Sequence, residues 1–108
     1  MSTPQELLKL AVTVATEAAE LIVERRRGTI TVADTKSTAT DIVTAVDRES
    51  EELIRARVLE ARPDDSFLGE EGDDIDGTSG VRWVVDPIDG TVNYLYDLPT
   101  YAVSIAVE

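Results

Sequence analysis

The sequence predicts an α+β or layered α/β fold, on three observations. An amphipathic helical pattern opens the chain, short β-rich runs recur around a second helical pattern, and acidic residues gather at the ends of those runs. The order along the chain reads α-β-β-α-β-β-α-β. At 108 residues, 43% of them hydrophobic, there is one domain's worth of chain at most and a modest core.

The first helix is punctuated by "TPQE": Thr3 is placed to cap, Pro4 suits the first helical position and Glu6 closes a capping box. Leu7, Leu10/Ala11, Val14, Ala18 and Leu21/Ile22 follow at helical spacing and form one apolar face. "RRRG" ends it, with cations on the negative end of the helix and Gly28 as the stop, a role sufficient for Arg25 to Arg27 without an anion site. "TITV" (29–32) and "DIVTAV" (41–46) read as strands joined by the polar "ADTKSTAT", hence a hairpin. From Thr44 the period turns helical through Val46, Ser50, Leu53/Ile54 and Arg57/Val58, ending before Pro63. "SFLGE" (66–70) reads as a short buried strand and "EGDDIDGTSG" (71–80) as an exposed, solvated acidic loop. "VRWVV" (81–85) is a second buried strand, "GTVNYLY" (90–96) opens a short helix, and "YAVSIAVE" (101–108) is a strong strand. A buried-type strand with no polar tail reads as an interrupted chain.

Composition narrows the function. Ten basic against 22 acidic residues give a formal charge of -12, which argues against nucleic acid or an anionic membrane as the main partner. With no cysteine and no histidine there is no disulfide, no Cys nucleophile, no Ser–His–Asp triad and no Cys/His zinc site. Oxygen donors remain, which suit magnesium, calcium or manganese. The absence of a signal pattern or a membrane-length apolar run leads to the expectation of a soluble cytoplasmic protein.

The acidic residues that solubility does not explain are Asp47, Glu70 with Glu71, Asp86 and Asp89. They sit at strand or helix ends, where layered α/β folds assemble their sites. If Glu70 and Asp86 end neighbouring strands, their carboxylates can meet. In "WVVDPIDGTVNY" (83–94), "DPID" is a good type I turn, and the same turn would bring Asp86 and Asp89 to one side. Two close carboxylates repel unless protonated or bridged by a cation, and a divalent ion held by them and by the Ile88 carbonyl removes the conflict. Gly90 and Thr91 follow, a step whose bare N–H groups suit an anion if a helix opens there. Metal ligands next to an oxyanion cradle are the parts of metal-assisted phosphate-ester hydrolysis.

Two rival motifs fail. Aligning Gly77 of "DDIDG" with the glycine of an EF-hand puts Gly72 at the first ligand position and Trp83 at the last. Haloacid-dehalogenase phosphatases separate their two aspartates by one residue, and here two intervene.

"DIVTAVD" (41–47), "GEE" (69–71) and "WVVDPIDGTVNY" (83–94), in this order, resemble the inositol monophosphatase family of magnesium-dependent, lithium-sensitive phosphatases. The resemblance spans essentially the whole chain and corresponds to the N-terminal part of that family's single sugar-phosphatase domain, a fold it shares with fructose-1,6-bisphosphatase. It implies Glu70, Asp86 and the Ile88 carbonyl as ligands of a first Mg2+, with Asp86 and Asp89 sharing a second. Glu70, Ile88, Asp89, Gly90 and Thr91 would surround substrate, with Gly90 and Thr91 meeting phosphate through main-chain N–H groups. Thr91, bonded to Asp47, would orient and activate the attacking water, making Asp47, Glu70 and Thr91 the catalytic group. Lys36 stands where the family often has a lysine near the metal.

The implied reaction is hydrolysis of a small sugar or polyol phosphate, foremost inositol 1-phosphate. Fructose-1,6-bisphosphate, histidinol phosphate or a nucleotide 3'-phosphate are the neighbouring specificities. A homodimer is the family habit, and a non-catalytic regulatory protein on the same fold is the alternative from another class. The family's further aspartate, in a downstream "W-D-x-A-A"-like motif, has no counterpart in these residues, so residues 1–108 alone are expected to lack a complete second metal site and to be inactive.

Overall fold

A computed structural model describes residues 3–28, 39–70, 74–90 and 101–108. Two long helices, α1 (Pro4–Gly28) and α2 (Ala39–Ala61), precede three strands, β1 (Ser66–Leu68), β2 (Arg82–Asp89) and β3 (Ala102–Val107). The sheet order is β1-β2-β3, with β1 parallel and β3 antiparallel to the central β2. This is an α+β arrangement, as the sequence predicts.

α1 begins where its cap residues place it. The Glu6 N–H donates to Thr3 Oγ1 at 3.2 Å, and the Thr3 hydroxyl donates to the Glu6 carboxylate at 3.3 Å. The expected apolar face is the observed one: Ala11, Val14 and Ala18 join Ile54 and Val58 of α2 and Phe67, Trp83 and Val85 of the sheet. Burying Phe67 alone contributes about 2 kcal/mol. A smaller cluster of Ile22, Val46 and Ile88 continues the core under the end of β2. Arg25 engages Glu49 of α2 with two nitrogens, at 2.8 and 2.7 Å, so this arginine joins the two helices rather than only closing α1.

Two expectations are corrected. "DIVTAV" is helical, because α2 starts at Ala39 and not near Thr44. The β preference of its branched residues is a weak prior, and the helical spacing of Val46, Ser50, Ile54 and Val58, all buried, overrides it. "DPID" is not a free turn; it is the end of β2. The described part of the acidic loop is exposed as expected, at Asp74, Asp76, Thr78, Ser79 and Gly80, and it is also anchored: Ile75 and Phe67 exchange main-chain bonds at 2.9 Å, and the Thr78 and Ser79 N–H groups donate to the Asp64 carbonyl. The strand at 29–32 and the helix opened by "GTVNYLY" lie outside the described residues.

Behind that anchored loop sits a buried carboxylate. Asp65 is 1% exposed and accepts from Arg62 Nε at 2.5 Å, Ser79 Oγ at 2.6 Å and Trp83 Nε1 at 2.8 Å. Burial pushes its carboxyl up, but the bonds from Arg62, Ser79 and Trp83 outweigh this and hold it below the usual aspartate value. The node ties the end of α2, the start of β1, the loop and β2 together.

Candidate metal and phosphate site

Asp86 and Asp89 are three residues apart, so an unbroken strand would send them to opposite faces of the sheet. The β2–β3 register prevents that. Asp86 pairs with Ser104 and Asp89 with Ala102, three residues on one strand against two on the other, which is a β-bulge at Pro87–Ile88. Proline has no N–H to give the ladder and is tolerated at such a position. Burial follows the bulge: Pro87 and Ile88 are both buried, while Asp86 is half-buried and Asp89 exposed. The inserted residue thus returns both aspartates to the face opposite the core. Gly90 follows at φ 86°, a left-handed conformation that suits glycine, and turns the chain out of the strand.

Glu70 lies two residues past the end of β1, whose parallel register pairs Phe67 with Trp83 and Leu68 with Val84, and it shares a groove with Asp86. Both line an open groove of about 360 Å³ with Leu68, Gly69, Val84, Val85, Ser104 and Ala106. Asp86 Oδ1 is buried and, among the described residues, has no hydrogen-bond partner. A buried polar atom left unpaired is costly, so this oxygen marks a place for a cation or a donor. The surrounding donors are oxygens, the set a hard divalent ion takes. Among the described residues no group of three acidic side chains is arranged to hold a metal ion; Glu70 and Asp86 share the groove and Asp89 stands one bulge further on.

α2 backs the site. Asp47, expected at a helix N-terminus, lies about two turns inside α2 and is 7% exposed. It shares a helix face with Ser50 and Glu51, 0% and 1% exposed, two residues that the sequence does not single out as site candidates. Ser50 Oγ donates to the Pro87 carbonyl at 3.1 Å, inside the bulge. Glu51 Oε1 accepts from the Glu70 N–H at 2.7 Å. The available signal was the interruption of an apolar stripe by polar residues at 47, 50 and 51. Thr91, and with it the expected Asp47–Thr91 bond, lies outside the described residues, as do Lys36 and Glu71.

Among the described residues no helix is long and apolar enough to cross a membrane. A model of the inositol monophosphatase family matches residues 3–108. The chain is similar to the inositol-1-monophosphatase of Mycobacterium leprae, 46% identical over 97% of this chain and 41% of that one. It is also similar to the Nus factor SuhB of Pseudomonas aeruginosa, 38% identical over 96% of this chain and 40% of that one. Among solved structures, Mycobacterium tuberculosis SuhB superposes with a TM-score of 0.79 at 41% identity, over 100% of this chain and 37% of that one. The chain therefore spans about two-fifths of the length of these relatives. On its sequence match and its fold together, it belongs to the inositol monophosphatase family.

Proposed function

We propose that these residues form the N-terminal, metal-binding part of a magnesium-dependent phosphomonoesterase acting on a small polyol phosphate, foremost inositol 1-phosphate. The observation that carries the reading is the bulge that returns Asp86 and Asp89 to one face, with Asp86 Oδ1 buried and without a hydrogen-bond partner among the described residues. The family and the name of the M. leprae relative supply the substrate class. Glu70, Asp86, Asp89 and the Ile88 carbonyl would hold divalent ions, which when bound neutralise phosphate and raise the acidity of the attacking water. That charge lets a chain of net charge -12 accept an anion. Gly90 and Thr91 would receive the phosphate through main-chain N–H groups, and Asp47, acting through Thr91, would orient the water and accept its proton. The family resemblance is what leads us to infer a cytoplasmic homodimer, and residues 1–108 alone are expected to turn over little substrate.

The test is phosphate release from inositol 1-phosphate by the native protein with and without Mg2+. Activity should require the metal and fall on the order of 100-fold or more in Asp86→Asn, beyond the usual loss for a mere outer-shell partner. Equal low turnover in parent and variant would overturn the enzyme reading. It would favour the second reading, a regulatory protein on the same fold, which the Nus factor name of the P. aeruginosa relative supports.

A further inference from the structure

A carboxylate in a protein interior costs several kcal/mol unless well compensated, and an apolar side chain of similar volume often serves stability better. Glu51 is nonetheless buried in the middle of α2, one turn after Asp47. Its Oε1 accepts from the Glu70 main-chain N–H at 2.7 Å, just past the last β1 residue, Leu68, where the β1–β2 ladder has ended. The fit there is close: a Cβ on Gly69 would overlap the Glu51 carboxylate, which would have to shift. Arg55 Nη2 stands 3.4 Å from Glu51 Oε2 while its guanidinium lies 5.2 Å over the Phe67 ring, which offsets part of the buried charge. The preceding residue, Ser50, holds the Pro87 carbonyl in the bulge. Two consecutive residues of α2 thus grip the backbone at both strand ends that border the groove.

We propose that Glu51 is a positioning residue: its carboxylate fixes the main chain at Gly69–Glu70 and so sets where the Glu70 carboxylate stands relative to Asp86. The inference rests on the metal reading of the groove. Glu51 acts by reach and by accepting a hydrogen bond, not by its charge on the ion. Two variants separate these properties. Glu51→Asp keeps the charge and shortens the reach by one methylene; Glu51→Gln keeps the reach and an acceptor oxygen and loses the charge.

The measurement is Mn2+ binding by electron paramagnetic resonance in the native protein without substrate, alongside thermal melting in chelator. Glu51→Asp should weaken Mn2+ binding about 10- to 100-fold, the usual loss when a partner that orients a ligand is removed, and Glu51→Gln by no more than about 3-fold, less than the smallest of those losses. Parent-like affinity in Glu51→Asp overturns the proposal, since a merely structural carboxylate would lower the melting temperature alone. Equal weakening in both variants also overturns it, because the charge would then act directly. If Glu51→Asp does not fold, Gly69→Ala, which crowds the carboxylate without altering it, is read in its place, and parent-like affinity there has the same meaning. Asp86→Asn separates this proposal from the reading beneath it. Mn2+ binding lost in Asp86→Asn but kept in Glu51→Asp overturns the positioning role alone, and no binding by the parent overturns both.

Discussion

Asp65 and Asp86 both reside at the sheet, yet their surroundings are opposite. Asp65 receives three bonds, from Arg62, Ser79 and Trp83, which leave neither carboxylate oxygen without a donor. Asp86 has one oxygen buried with no donor among the described residues. The first arrangement compensates the desolvation of a charge and holds elements together. The second leaves that cost standing, which a fold tolerates where something else is to be bound. Burial of a carboxylate is therefore not what marks the candidate site; the unmet hydrogen-bonding capacity is.

The contrast breaks most visibly on stability. Asp65→Ala should destabilise the fold by about 3–5 kcal/mol, the range for breaking a buried pair and leaving its partners unmatched, measured by denaturant unfolding. Its turnover per folded molecule should match the parent's, because the node lies outside the groove. A variant of parent-like stability would make Asp65 as uncompensated as Asp86.

A smaller effect comes with acid. Asp65 is held below the ordinary aspartate value of 3.8, so its stabilisation is fully present above that pH and is lost as pH falls through the depressed folded value. Glu49, lowered by its bonds from Arg25, adds to the loss in the same direction below its ordinary 4.5. Unfolding free energy should therefore fall as pH drops below about 4, near the ordinary aspartate value, and Asp65→Asn should flatten that slope. An unchanged slope would remove Asp65 from the account.

The smallest stability effect belongs to Asp86→Asn in chelator, a change under about 1 kcal/mol in the stabilising direction, because an uncompensated charge is removed. The difference then appears on adding Mg2+: the parent should gain about 2.7 kcal/mol at 100 times the dissociation constant, and the variant should gain little. Equal gains would show that Asp86 is not part of the ion's site.

Much of this was legible in the residues. Thr3 and Pro4 start α1 by local hydrogen bonding and dihedral preference, and the apolar spacing of both helices identified their buried faces. The residue types at 70, 86 and 89 marked a candidate site because three acids at strand ends have no solubility rationale. What failed was local conformation where propensity and context disagree: Asp41–Val46 looks β-rich and is helical, and "DPID" looks like a turn and is a bulged strand end.

The sequence by itself determined the helices, the oxygen-only donor set and the family, since periodicity, caps and side-chain chemistry are properties of neighbouring residues. Only the tertiary structure decided which side each aspartate takes. A strand's facing depends on its register with a partner, and the register shift opposite Ser104 and Ala102 returns Asp89 to the face of Asp86. It also decided that Glu51, 19 residues before Glu70 in the chain, is buried against its backbone. No local pattern encodes a contact between a helix and a strand end, because it exists only once both are packed on one core.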